Sequence, residues 1–197
     1  MNTALAFAIG NAKRAQVSKE AIDKAVAKGQ GKSLSGLALD TVSLEAMLPY
    51  GVAAIIEGQT ENKNRILADV KKIVQRSGGS LSPTSFCFEK KGKIWFKQNE
   101  AVGVDEAMDE AIEAGAEEIT TEDGQLVVET APDMVSAVAQ RLKTALGLET
   151  DRSQILFDPK EETVAKLDED QALELQSVLD QLDDLDDVQE VYVNAVL

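Results

Sequence analysis

Two kinds of apolar spacing alternate along the chain. In TENKNRILADVKKIVQRSGGSLSP, residues 60–83, Ile66, Leu67, Val70, Ile73 and Val74 recur at i, i+1, i+4, i+7 and i+8. That is the stripe of an amphipathic helix. It predicts a helix buried along those five residues and ended by Gly78-Gly79. Upstream, DTVSLEAML and VAAIIEGQ read as strands joined at PYG, a hairpin. Downstream, SFCFEKK and KIWFKQ flank Gly92 and read as two strands. Residues 93–97 then open a second series. A helix is expected over 104–114 with Ala107, Met108, Ala111 and Ile112 inward, followed by the hairpin EEITTEDGQLVVET, turning at Asp123-Gly124. Another helix is expected over 131–146, with Pro132 in its first turn and Met134, Val135, Val138 and Leu142 inward. SQILFDP closes the series as a strand. The order β-α-β-β-α-β is that of a ferredoxin-like sandwich.

Both ends of the chain look unfinished alone. Residues 3–15 place Leu5, Ala8, Ile9 and Ala12 on one helical face. VSKEAIDKAVAKGQG predicts a second helix, capped by Ser18 and stopped at Gly29, with Ala21, Ile22, Ala25 and Val26 as its stripe. GKSLSG follows as a linker. The tail predicts a helix over 168–183 (Ala172, Leu175, Val178, Leu179, Leu182) and the strand VQEVYVNAV. The economical expectation is an α+β protein: a basic helical segment at 1–36, then two ferredoxin-like sandwiches. One is split between 37–90 and 168–197, and the other, 91–167, is inserted in it.

Charge divides along the same lines. The 197 residues carry 35 acids and 20 bases, a net charge of −15. Such a balance argues against a generic coat for nucleic acid, whose affinity comes from clustered Lys and Arg. Yet residues 1–36 hold six bases against two acids, and 60–83 hold five bases against two acids. From Gln98 to Ala131 there are eleven acids and no base. That block would repel phosphate; it suits either a basic protein partner or plain solubility.

The composition also excludes chemistry. With no histidine, the commonest general base, His-activated nucleophiles and His-ligated zinc are unavailable. A single cysteine, Cys87, gives neither an internal disulfide nor a Cys cluster. GQGKS at 29–33 is not a phosphate loop: position 26 is Val26 where the motif needs glycine, and a helix precedes it instead of a strand. DQLDDLDDVQE at 180–190 has carboxylates for a divalent cation but lacks EF-hand spacing. Its acids fall at a helix C-terminus, where the dipole disfavours them. Trp95 and Phe96 point to opposite faces of a strand, so both cannot be core; with Phe86 and Phe88 they suggest either packing or a base-stacking platform. No enzyme, cofactor, metal site or membrane span is expected.

The candidate functional residues are therefore cations. On the central helix they are Lys63, Arg65, Lys71, Lys72 and Arg76, with Asn62 and Asn64 at its start; in the N-terminal pair they are Lys13, Arg14, Lys19, Lys24, Lys28 and Lys32. Such groups contact a nucleic-acid backbone, helped by the positive end of a helix dipole. The same spacing equally describes a solvated face, with Asn62 as N-cap and Arg65–Asp69 as an i,i+4 pair.

TENKNR at 60–65, GGSL at 78–81, FEKKG at 88–92, NAKRAQVSKEAIDKAVAKGQG at 11–31 and DVQEVYVN at 187–194 together resemble the YebC/PmpR family. The resemblance spans essentially the whole chain. It implies a helical first domain followed by two α+β domains, the third inserted in the second. Members begin earlier, with a basic helical segment, so the chain reads as a trimmed form. Pro49-Tyr50-Gly51 departs from the Gly-Pro-Gly-Gly turn of bacterial members and implies a fungal-like mitochondrial branch. By resemblance, the expected function is a ribosome-associated translation factor of the mitochondrial matrix. It would bind rRNA or tRNA, and basic ribosomal proteins, to carry elongation through proline-rich sequences. The alternatives are a DNA-binding transcriptional regulator, cytoplasmic if bacterial, and a small-molecule-binding regulatory module.

Overall fold

The computed structural model describes residues 3–33, 36–99 and 102–196. Part of the linker (Leu34, Ser35) and of the base-free block (Glu100, Ala101) therefore lies outside the described residues. The chain divides into two compact units, residues 1–84 with 165–197 and residues 85–164.

The first unit begins with helices α1 (Thr3–Arg14) and α2 (Lys19–Gly29). Ser18 caps α2 by accepting from the Ala21 amide at 3.2 Å. Strands β1 (Asp40–Met47) and β2 (Ala53–Thr60) form the expected hairpin, in register from Asp40↔Thr60 to Met47↔Ala53. Its turn holds Tyr50 at φ 65° and Gly51 at φ 74°. Helix α3 (Lys63–Arg76) follows, then a two-residue strand β3 (Ser80–Leu81) that the sequence pattern did not signal. Helix α6 (Glu169–Asp183) and strand β8 (Val188–Val193) complete the unit. The sheet order is β3-β1-β2-β8, with every pairing antiparallel.

The core of this unit lies between that sheet and the two helices α3 and α6. Ile66, Val70 and Val74 of α3 meet Leu175, Val178, Leu179 and Leu182 of α6 over Ala54 and Ile56. The α3 stripe is narrower than expected: Leu67 is exposed and Ile73 only partly covered. Gly79 lets the chain return beneath α3, because a Cβ there would stand 2.5 Å from the Met47 carbonyl oxygen.

The second unit runs β4 (Phe88–Phe96), α4 (Val104–Ala114), β5 (Ala116–Glu122), β6 (Gln125–Thr130), α5 (Val135–Leu146) and β7 (Thr150–Pro159). Its sheet order is β5-β6-β4-β7, again wholly antiparallel. The expected pair of strands around Gly92 is one continuous strand. Gly92 sits inside β4 because α5 passes directly over it, and an added Cβ would collide with Val135 Cγ2. Helix α5 also starts later than Pro132, with Met134 at its cap. Asp123 and Gly124 take φ of 49° and 78°, the conformation a two-residue hairpin turn needs. On α4 the buried residues are Ala107 and Ala111, while Met108 and Ile112 face outward. Trp95 and Phe96 were expected not to be core together, yet both are buried, Trp95 on the sheet face opposite Phe96. Arg152 lies 4.1 Å from the Trp95 ring centroid, Lys93 lies 5.4 Å away, and the Trp95 Nε1 donates to Glu122 at 2.9 Å. Its ring is thus covered by cations. No described helix is long and apolar enough to cross a membrane.

Candidate nucleic-acid interface

The candidate cations separate into two sets. Lys71, Lys72 and Arg76 are exposed on α3 and have no ion-pair or hydrogen-bond partner among the described residues. With Ala68 and Gln75 they line a shallow groove of about 430 Å³. The positions 68, 71, 72, 75 and 76 fall at i, i+3, i+4, i+7 and i+8, one face of the helix. Opposite that face lie Ile66, Val70 and Val74, all essentially inaccessible. Burying an aliphatic side chain contributes roughly 1.5–3 kcal/mol, against about 0.2–1 kcal/mol for an exposed ion pair. The ridge is therefore mounted on a helix fixed by its core side, and its cations are not needed to hold the fold.

The second set is engaged within the unit. Arg65 donates to Asp187 Oδ2 from Nη2 at 2.7 Å and from Nε at 3.3 Å. Thr60 Oγ1 donates to the same oxygen at 2.8 Å. The Asp187 bond holds the guanidinium above its ordinary pKa. Lys63 Nζ lies 3.4 Å from Asp40 Oδ2. From α2, Lys24 Nζ reaches Asp186 Oδ2 at 2.7 Å, and Lys28 Nζ donates to the Asp186 carbonyl oxygen. Burial holds the Lys28 ammonium below its usual pKa, against the pull of Asp187. The Lys24 hydrogen bond keeps the Asp186 carboxyl below its own. Lys24, Lys28, Lys32 and Arg65 face Asp184, Asp186 and Asp187 across a groove of about 610 Å³.

These pairings account for Asp186 and Asp187 in the loop after α6, but not for Asp180, Asp183 and Asp184. Asp186 and Asp187 answer cations of α2 and α3, and among the described residues no cluster of three His, Cys, Asp or Glu could hold a metal ion. Asn62 is a structural cap: its Oδ1 accepts from the amides of Asn64 at 3.1 Å and Arg65 at 3.2 Å. Lys13 and Arg14 end α1, where cations complement the helix dipole, and Lys19 stands exposed at the start of α2. Sequence spacing alone did not find Asp186, Asp187 or Thr60. The one signal was that the acids sat where the α6 dipole opposes them.

Residues 39–195 match the family model described as "TACO1/YebC second and third domain". A "Probable transcriptional regulatory protein" of Bifidobacterium animalis is 38% identical over 196 residues, covering 98% of this chain and 76% of the relative. A protein of the same name from Aeromonas salmonicida is 38% identical over 199 residues, with coverages of 98% and 77%. The crystal structure of a conserved hypothetical protein from Aquifex aeolicus superposes with a TM-score of 0.68 at 33% identity, covering 96% of this chain and 77% of that one. These findings correct the expected function. The curated relatives are bacterial and named as transcriptional regulators, which overturns the reading as a ribosome-bound, RNA-binding activator of mitochondrial translation. They give no support to the mitochondrial branch expected from Pro49-Tyr50-Gly51, since these relatives are bacterial. With a family model running from β1 to the end of β8 and relatives aligned along nearly its whole length, the chain belongs to the TACO1/YebC family.

Proposed function

We propose that this protein is a non-enzymatic, DNA-binding transcriptional regulator that grips the phosphate backbone with the Lys71–Lys72–Arg76 ridge of α3. The observation that carries this is the ridge itself: three exposed cations, without an ion-pair or hydrogen-bond partner among the described residues, on one face of a helix anchored from the other side. Backbone contacts position a protein on the duplex and supply salt-dependent affinity. The bacterial relatives named as transcriptional regulators support duplex DNA as the partner and the cytoplasm as the compartment. The net charge of −15 then works against indiscriminate binding, confining contact to the ridge. We read the two units as ferredoxin-like sandwiches, the second inserted in the first.

The test is fluorescence anisotropy with a 20-base-pair duplex across a salt series. Replacing Lys71, Lys72 and Arg76 with Gln should weaken binding at least tenfold at low salt. It should also flatten the slope of log K against log salt by about 2 to 3, near 0.9 for each phosphate no longer neutralised. An unchanged slope would remove the ridge from the interface. Tighter binding to a structured RNA of equal phosphate count would overturn DNA as the ligand.

A further inference from the structure

Asp186 and Asp187 are neighbours held in different ways. The Asp187 side chain is 18% exposed and takes three donors, two from Arg65 and one from Thr60. The Asp186 side chain is 81% exposed, and its carboxylate meets only Lys24 among the described residues. Asp187 is fastened into the fold; Asp186 is an exposed carboxylate laid on cations.

Those cations belong to a helix with little apolar hold on the rest of its unit. No described residue of α1 or α2 belongs to the core that fixes α3 and α6. The apolar side chains of α2 (Ile22, Ala25, Val26) instead face Leu5, Ile9 and Ala12 of α1. On its other side, α2 meets the loop after α6 through Lys24 and Lys28, both on Asp186. The groove beneath is not fully satisfied either. Gln59 Oε1, on its wall, is the buried side-chain oxygen without a hydrogen-bond partner among the described residues.

A carboxylate on an ammonium at 2.7 Å has the charge-assisted geometry of a phosphate oxygen on the same group. Along α3, the residues lining the groove, Arg65 and Asp69, continue at helical spacing into Lys72 and Arg76. The α2 cations thus lie beside the near end of the face that carries the ridge.

We propose that the Asp186 carboxylate is an intramolecular stand-in for a DNA phosphate, occupying Lys24 of α2 until a backbone phosphate displaces it, while the Asp186 main-chain carbonyl holds Lys28 alongside. This rests on the reading of the protein as a DNA binder. The exchange replaces one exposed ion pair by another, so the pairing itself costs little. Release of counterions from the duplex then favours the bound arrangement. The free protein presents only the α3 ridge, and the bound protein adds α2. The acidic loop thereby raises the threshold for capture by stray polyanions.

The experiment uses the full chain and the same 20-base-pair duplex. Asp186→Asn should bind about 3- to 10-fold tighter at low salt, because Lys24 is no longer held by a carboxylate that has to be displaced. Glu190→Gln, the same charge change on an exposed site of β8, should gain less than twofold. Adding Lys24→Gln and Lys28→Gln to Asp186→Asn should cancel the gain. Equal gains for Asp186→Asn and Glu190→Gln, or a gain that survives loss of both lysines, would overturn the proposal. Hydrogen exchange of the α2 amides gives a readout without DNA. Protection should drop in Asp186→Asn and in wild type at 0.5 M salt; unchanged protection in both would overturn the mask by itself. Exchange that responds as expected, with no ridge-dependent duplex binding, would instead fault the DNA reading and leave the α2–Asp186 latch standing.

Discussion

Arg65 and Asp187 stand 122 residues apart in sequence and meet at 2.7 Å, with Thr60 donating to the same carboxylate oxygen. This joins the first turn of α3 to the loop that delivers β8, so a basic residue that reads as a nucleic-acid contact is a fold contact as well. Asp187→Ala should lower stability by about 1 kcal/mol through loss of the Thr60 bond alone. Urea unfolding checks it. Asp186→Ala, one residue away, should leave the unfolding midpoint nearly unchanged.

Gly92 and Gly10 should respond oppositely to the same substitution. A Cβ on Gly92 would collide with Val135 of α5. Gly92→Ala should therefore destabilise by roughly 1–3 kcal/mol, the usual cost of overpacking. Gly10 lies within α1 with nothing within 4 Å of an added Cβ, and Gly10→Ala should stabilise by up to about 1 kcal/mol. Thermal melts of the two variants test both signs.

Asn62→Ala should cost about 1 kcal/mol through loss of the α3 cap, while Asn62→Asp should hold stability near wild type. A larger effect on DNA affinity than on stability in Asn62→Ala would assign the amide a second role.

Two carboxylates bend the pH profile in opposite directions. Glu122 is held below its ordinary 4.5, first by the Lys93 hydrogen bond and then by Trp95. Its folded pKa is depressed, so its contribution is present above 4.5 and is lost as pH falls through the lower folded value. Burial, then Asp180 and Asp184, lift Asp183 above its ordinary 3.8. Its native state binds the proton more tightly, so stability falls as pH rises from 3.8 through the folded value. Glu122→Gln should reduce the loss of stability below pH 4.5, and Asp183→Asn should raise stability at pH 7. Urea midpoints measured from pH 3 to pH 7 follow both.

The element order was legible because period and punctuation are local: the α3 stripe, the Asp123-Gly124 turn and the caps at Ser18 and Asn62 each lie within a few residues. Which side of a stripe is innermost was not. On α4 the quartet Ala107, Met108, Ala111 and Ile112 covers one broad arc; the alanines face the core while Ile112 is 61% exposed. Gly92 looked like a break because its reason for being glycine, Val135, lies far along the chain. The cations of the site were all visible, but their fates were not. Lys24 is paired because the chain after α6 brings Asp186 to it, a partner no local pattern shows.

The ends of the second unit are tied to each other. The Cys87 carbonyl accepts from the Lys160 amide at 3.0 Å and the Thr163 hydroxyl at 2.8 Å, beside the Phe88↔Pro159 pairing. Once β4 and β7 zip together, the long excursion between β3 and α6 collapses to a short effective loop. Since the entropy of closure falls with loop length, early folding of the insert would hasten the arrival of β8 beside β2. The insert then acts as a folding clasp for the domain that carries it.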